Sequence, residues 1–354
     1  MNRRNLLEPL VLASAALAAD SDTIAPAFAS FCFDGKNVVA HDDIVAISLP
    51  LKTKLKGFVS GALLLRFLKA CVGKEVEFIQ KKAGTLTVKC GAARLRLSVS
   101  DPHDYPFKFP TLYGKLMNNL NGEFFTGLEL CSKIVSDRGI SSWLGGVLFD
   151  FGKQLTLYSV SGTRDAICVY DNKGMGVKSK EDHNQIILPV SFCKVVLSMY
   201  KKFGVKNSRI AVRENYAVIY FDDKGAVFGK AFVASKKPNI AGKVRGHLEG
   251  VASFIPIFNT FRNALSRSSA VAGNDGLCTL TVNSGKLKME TRTPGSMLND
   301  LVSLKAKHKE IEVKVDPHLL TKMLEHCKEF VIQENCVVMR SGTGLTYITA
   351  NKTS

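Results

Sequence analysis

The stretch Leu188-Pro189-Val190-Ser191, followed by Phe192 to Phe203 and then Gly204, decides the fold. Ser191 is a residue type that caps helix N-termini, and Gly204 one that accepts the left-handed turn after a helix. The stretch therefore predicts a helix with those two ends. Val195, Val196, Met199, Tyr200 and Phe203 fall on one apolar face of it, with Lys194, Lys201 and Lys202 off that face. The same stripe occurs at Leu63, Leu64, Phe67, Leu68 and Cys71, after Val59-Ser60. It occurs again at Leu319, Leu320, Met323, Leu324 and Cys327, after Val315-Asp316. The steps from 63 to 195 and from 195 to 319 are 132 and 124 residues. A nearly fixed period of ordinary domain size divides the 354 residues into three similar domains, 1-112, 113-245 and 246-354.

Working outward, each third reads as two half-units, a helix followed by short strands and then a second helix followed by three more. Leu6, Leu10, Ala13 and Leu17 mark the opening helix of the first third; Leu128 to Val135 and Ile255 to Leu265 mark those of the others. In the first domain the strands are Phe28 to Phe33, Asn37 to His41, Ile44 to Leu51, Glu75 to Ile79, Thr85 to Cys90 and Arg94 to Val99. Turn residues at Asp34-Gly35 and His41-Asp42-Asp43 separate the first three. The other domains repeat the plan, with linkers from Pro106 onward and at Pro238 to Gly246. An apolar helix stripe and an apolar sheet face must cover each other, so the class is α+β, each domain two helices packed on antiparallel sheets, six helices in all.

Composition narrows the function. Hydrophobic residues make up 46%, enough for a large core. The nine cysteines are scattered without C-x-x-C pairs and mostly within apolar runs, which points to buried, reduced thiols of a cytoplasmic protein rather than a disulfide or zinc framework. Met1 to Asp20 has the outline of an export signal, but Glu8 and Pro9 interrupt its apolar core and its leucines keep helical spacing. No run reaches the ~20 apolar residues of a membrane span. The net charge of +17, from 48 Lys and Arg against 31 Asp and Glu, is spread along the chain and favours a polyanionic partner.

The helix faces opposite the apolar stripes carry that charge: Arg66 and Lys69 in the first domain, Lys133, Lys194, Lys201 and Lys202 in the second, Arg262 and Lys322 in the third. Singly, each is a solvated helix face. Recurring in all three domains, they predict a strip for a phosphate backbone, insensitive to sequence because no base-reading motif accompanies it.

This arrangement resembles the bacterial-type DNA sliding clamp, the beta subunit of the replicative DNA polymerase III, over the whole chain. Arg4-Asn5-Leu6-Leu7-Glu8-Pro9-Leu10 is similar to the family's opening helix, and Asp104-Tyr105-Pro106 falls at its Phe-Pro linker. Leu144-Gly145-Gly146-Val147-Leu148-Phe149, Ser161-Gly162-Thr163-Arg164 and Lys237-Pro238-Asn239 match further family segments in order. The resemblance implies a homodimer, first domain against third, whose six domains ring a double-stranded DNA with the helices inside. It adds Arg138 and Trp143 to the DNA-facing residues. It also implies a cleft for short hydrophobic peptides of the DNA polymerase and the clamp loader, comprising Leu144, Val160, Gly162, Arg164, Pro238, Leu319, Tyr347 and Ile348. No catalysis, cofactor or metal is expected. The chain departs from the family in its strong positive charge, in Asp165 where an apolar residue is usual, and in its polar ending Thr349 to Ser354; such divergence would suit a phage or mobile-element clamp.

Enzyme readings have less behind them. Ser191-Phe192-Cys193-Lys194 fits the Ser-x-x-Lys pattern, and an exported serine hydrolase using Ser191 and Lys194 is the alternative, but no Lys-Thr-Gly or Ser-Asp-Asn companion follows. Gly342-Thr343-Gly344 lacks the Lys-Ser/Thr of a phosphate loop and reads as a hairpin turn. His318 and His326, eight residues apart with no third ligand nearby, read as surface or capping residues.

Overall fold

The computed structural model describes the chain apart from residues 20–24, 82–83, 111–116, 136–143, 153, 162–165, 173–184, 205, 207, 233–238, 250, 252, 274–275, 305–309, 343 and 351–354. It divides into two compact units, Met1–Phe125 with Lys178–Phe232, and Thr126–Val177 with Val233–Ser354.

The first unit opens with α1 (Arg3–Ala13), capped by Asn2, whose side chain accepts from the Arg4 amide. A three-strand meander follows: β1 (Ser30–Asp34), β2 (Asn37–His41) and β3 (Val45–Pro50). The first turn closes because the Asp34 carboxylate accepts from the amides of Lys36 and Asn37, at 2.7 and 2.6 Å. Strand β4 (Lys56–Ser60) then leads into α2 (Gly61–Ala70), capped by the Ser60 hydroxyl on the Leu63 amide, and into a second meander of β5 (Val76–Lys81), β6 (Thr85–Cys90) and β7 (Ala93–Ser98). The unit is completed by β8 (Met117–Asn119), β12 (Gln185–Pro189), α4 (Val190–Phe203), β13 (Ser208–Val212), β14 (Tyr216–Phe221) and β15 (Ala226–Lys230). Eight strands make one sheet in the order β4-β1-β2-β3-β15-β14-β13-β8, joined where β15 pairs with β3, Val227 opposite Ile47. Strands β5, β6 and β7 form a sheet of their own.

Helix α3 (Gly122–Ile134) spans the division between the units. The second unit continues with β9 (Gly146–Phe151), β10 (Leu155–Ser161), β11 (Ala166–Asn172), α5 (Ile240–Leu248), β16 (Ile255–Pro256) and α6 (Asn259–Ala272). It ends with β17 (Cys278–Asn283), β18 (Lys286–Thr293), β19 (Ser296–Ser303), β20 (Ile311–Val315), α7 (Pro317–Leu324), β21 (Glu329–Gln333), β22 (Cys336–Arg340) and β23 (Leu345–Ala350). Its larger sheet runs β9-β10-β11-β23-β22-β21-β16, joined where β23 pairs with β11, and its smaller one β19-β18-β17-β20.

The α+β class and the repeated helix-then-meander plan match the sequence expectation. Leu17 lies beyond the end of α1, and Ile255, expected in the opening helix of the last third, lies in β16 ahead of α6. Three further details differ. α4 starts at Val190, and its N-cap position is Pro189 with no side-chain bond, so Ser191 lies in the first turn instead of capping it. Proline and valine extend the helix backwards because Pro supplies a fixed φ and needs no donor at a helix start. Leu63, placed on the apolar stripe, is 46% exposed; α2 buries Leu64, Leu65 and Leu68 instead. The expected linker at Pro238 to Gly246 holds α5, a seventh α-helix among the described residues, started by the Asn239 side chain accepting from the Gly242 amide at 2.9 Å. Its two glycines disguised it.

The core lies between helices and sheets. Phe261 of α6 stacks on Phe330 of β21 with centroids 4.5 Å apart, and Cys131 of α3 meets Cys168 of β11 at 3.8 Å. Each fully buried aromatic or leucine contributes roughly 1.5–3 kcal/mol. All nine cysteines are buried, and burial pushes the thiol of Cys327 up to about 12. Strands β22 and β23 pair antiparallel; Gly344, just before β23, takes φ 102°, and a side chain there would collide with the Asp171 backbone. Among the described residues no helix is long and apolar enough to cross a membrane.

Candidate nucleic-acid interface and peptide groove

Solvent-facing cations stand on the second helix of each repeat. Arg66 and Lys69 of α2, Lys194, Lys201 and Lys202 of α4, and Lys322 of α7 all lie on the side that faces solvent. Each helix turns them outward because its opposite side is buried, through Leu64 and Leu68, through Val195, Val196 and Met199, and through Leu319, Leu320 and Met323.

The first helices do not carry the basic face expected of all six. α1 presents Arg4 and Glu8. α3 presents Glu123 and Lys133, the latter 3.9 Å from Glu129. α6 presents Asn263, Ser266 and Arg267, and Arg267 is held by Asp300 through bonds of 2.8 and 3.0 Å. Arg262, expected to face DNA, turns inward: Nη1 donates to the Leu324 carbonyl at 2.6 Å and Nη2 to the Cys327 carbonyl at 3.3 Å. It satisfies carbonyls left open at the end of α7, at the negative end of the helix dipole. Lys202 is shared, its Nζ 3.0 Å from Glu8, which Arg4 also holds at 2.9 Å. The bond from Arg4, then that from Lys202, keeps the Glu8 carboxyl below its ordinary range. These ions are solvent-facing, so the pairs are weak and a phosphate can compete for the lysine. Arg138 and Trp143 lie outside the described residues.

Of the cleft residues, Gly162, Arg164 and Pro238 also lie outside the described residues. Val160 and Ile348 come together in one cross-strand row through Ile167, since Val160 pairs with Ile167 and Ile167 with Ile348. Neighbours in such a row point to the same face. Val160 and Ile167 are half-buried, and Ile348 is 1% exposed. Tyr347, adjacent in sequence, faces the other way, in the row of Ser159, Cys168 and Met339, and is fully buried. Leu319 is buried in the stripe of α7, which packs on α6. Leu144 is half-buried just before β9, beyond the Tyr158–Leu148 pair and toward the Val160 end of the sheet. On the Val160 face, burial raises the Tyr158 hydroxyl above its ordinary range, while the nearby Arg245 of α5 opposes the rise.

Sequence reasoning missed Ile167 and α5. Alternation in Ala166-Ile167-Cys168 could have found the first, and Asn239 with Ile240 and Val244 one helical turn apart the second. His318, read as a surface or capping residue, ties two helices: its Nδ1 lies 2.7 Å from the Ser269 hydroxyl, and its Nε2 meets the Gly273 carbonyl.

No protein-family model and no curated protein sequence matches the chain. Solved structures do. The DNA polymerase III subunit beta of Pseudomonas aeruginosa superposes with TM-score 0.80 at 16% identity, covering 100% of this chain and 99% of that one. The DNA polymerase III beta chain of Streptococcus pneumoniae TIGR4 gives 0.80 at 11% identity, covering 100% and 98%. The Helicobacter pylori beta clamp bound to a DNA ligase peptide gives 0.79 at 14% identity, covering 100% and 99%. The class is therefore a sliding-clamp fold. Along its whole length this chain has the fold of the bacterial DNA polymerase III beta subunit.

Proposed function

We propose that this protein is a DNA sliding clamp, a non-catalytic processivity factor that encircles duplex DNA as a head-to-tail homodimer and tethers polymerase and other replication proteins. The strand pairing carries the reading. Within the chain, the last strand of a first-half meander pairs with the last strand of the second-half meander one repeat later, β3 with β15 and β11 with β23. Two such strands are left over at free sheet edges: β7 in the first repeat and β19 in the third. The same rule joins β19 of one chain to β7 of another, and doing so twice closes a dimer of six domains, divided in each chain at 1-112, 113-245 and 246-354.

In that assembly Arg66, Lys69, Lys133, Lys194, Lys201, Lys202 and Lys322 supply sequence-independent phosphate contacts, and Arg138 and Trp143 remain assigned by resemblance. The Val160–Ile167–Ile348 row, with Leu144, is the proposed peptide groove for polymerase and clamp loader. The peptide-bound Helicobacter pylori neighbour supports that reading. The exported-hydrolase alternative finds no support in these neighbours. The deciding experiment is retention on DNA: the protein should stay on nicked circular DNA and slide off once the circle is linearised. Equal loss from both forms would exclude encirclement.

A further inference from the structure

We propose that the trough between β4 and β5 docks an acidic, extended segment of a partner protein. Its volume is ≈ 810 Å³; Lys54, Leu55 and Lys56 stand on one wall and Phe78, Ile79 and Gln80 on the other. The first wall is a cluster of unmatched positive charge. Lys36, Lys52, Lys54 and Lys56 are all exposed, and none has an ion-pair partner among the described residues. The backbone holds them together: the Leu51 amide donates to the Lys36 carbonyl at 2.8 Å, and the Thr53 amide to the Gly35 carbonyl at 3.1 Å. The acids nearby are already engaged. Asp34 accepts from the Lys36 and Asn37 amides, Glu77 lies 3.4 Å from Lys89 Nζ, and Asp101 accepts from the His103 amide.

The second wall offers backbone. β5 is an edge strand, and on its open edge Val76 exchanges hydrogen bonds with Met1 at 2.8 and 2.9 Å. Backbone groups of alternate residues face the same edge of a strand. Those of Phe78 and Gln80 therefore face it too, and no described strand pairs with them there. The slot already holds one amide. The Gln80 side chain donates to the Lys56 carbonyl at 2.8 Å and accepts from the Lys56 amide at 3.1 Å, the two bonds a neighbouring strand would make. A free edge facing a row of lysines suits an extended peptide whose backbone pairs with β5 and whose carboxylates reach the lysines.

The third repeat shows how the same place is covered. Ser60 caps α2 as Asp316 caps α7, which sets Lys54 and Lys56 against Glu310 and Glu312. The Arg3 and Ile257 amides donate to the Lys74 and Lys328 carbonyls, which sets Gln80 against Glu334. There the trough is ≈ 390 Å³, and Gly246 and His247 at the end of α5 line it beside Ile311 and Glu334. α5 carries Lys243, Arg245 and His247 and no carboxylate. An acidic wall is thus covered by a basic segment of the chain itself. In the first repeat the charge of the wall is reversed and no described segment covers it, so the complementary cover is acidic. The site goes beyond the clamp reading, since neither wall belongs to the helices assigned to DNA.

The test is fluorescence anisotropy on the intact protein with a labelled peptide of about nine residues, alternating glutamate and valine to make one strand. One control carries lysine in place of each glutamate. The other carries proline at alternate positions and cannot pair as a strand. The native protein should bind the first peptide at least about tenfold more tightly than either control. Lys54→Glu with Lys56→Glu should weaken that binding at least about tenfold; Lys54→Gln with Lys56→Gln serves if the reversal fails to fold. The variant reversed at Lys194, Lys201 and Lys202 should bind the peptide as the native protein does. No binding by the native protein, equal binding of the proline peptide, unchanged affinity in a folded Lys54 and Lys56 variant, or loss in the α4 variant would overturn the site. So would a single-stranded oligonucleotide of equal charge that binds through Lys54 and Lys56 more tightly than the peptide, since the cluster would then serve nucleic acid. Retention on circular DNA reports on the clamp reading separately.

Discussion

Arg262 donates to the carbonyl of Leu324 across 2.6 Å, and Arg3 does the same to Leu68 at 3.1 Å, in the third and first repeats respectively. In the second repeat the pair becomes Phe125 stacked on Tyr200, centroids 4.2 Å apart and planes at 11°. One mechanical task, locking the first helix of a repeat to the end of the second, is met by a charged staple twice and by an aromatic stack once. Arg262→Met should therefore lower stability by about 1.5–3 kcal/mol, the range for removing a hydrogen bond to a charged group. Urea unfolding measures it. DNA affinity and its salt slope should not change, and a reduced slope would return Arg262 to the phosphate-contacting set.

Replacing Lys194, Lys201 and Lys202 by Glu should weaken binding to unrelated duplexes about equally. It should also flatten the dependence of log affinity on log salt by roughly 1 for each phosphate no longer neutralised. Stability should hold, since none of the three belongs to the buried stripe of α4. A titration at several salt concentrations on two unrelated sequences checks both points.

Leu301 of the edge strand β19 is 64% exposed and Met297 on the same strand 54%. Leu301→Asp puts a charge on the edge proposed to meet β7. Light scattering should move from about twice 38.6 kDa toward 38.6 kDa, with the unfolding midpoint of the protomer little changed. A variant that stays dimeric would place the contact on another edge.

For the peptide groove, Val160→Ala with Leu144→Ala should cost ~1–3 kcal/mol in binding a polymerase tail peptide, because both side chains are only half-buried and a few apolar anchors dominate such grooves. Ile348→Asp is expected to disrupt folding instead, since Ile348 is 1% exposed and a carboxylate there has no water. Calorimetry of peptide binding beside a thermal melt separates the two outcomes.

His41 is 5% exposed, stacked on Phe107 at 4.4 Å and edge-on to Phe28 at 5.4 Å, and burial lowers its pKa below the ordinary 6.5. Its neutral form is the one the fold accepts, so the unfolded chain binds the proton more readily. The stability it contributes is fully present above pH 6.5 and is lost as pH falls toward the lowered value. Melting curves across that window should show His41→Phe less sensitive to acid than the native protein.

Periodicity alone determined the three helices that carry the cations and most of the strands around them, because the apolar stripes of α2, α4 and α7 and the alternation of Thr85 to Cys90 are local patterns. Turn residue types placed the turn at Asp34-Gly35, where one carboxylate closes the chain on itself. What a side chain meets across the fold was not in those patterns. Arg262 and Lys322 look alike in sequence, yet one lies against the open carbonyls of Leu324 and Cys327 and the other faces outward. Tyr347 and Ile348 are neighbours, and strand geometry sends them to opposite faces of a sheet. Only the tertiary structure decided that β3 continues into β15 and β11 into β23, leaving β7 and β19 as the unmatched edges, because backbone pairing between segments well over a hundred residues apart leaves no local mark in the residues that make it.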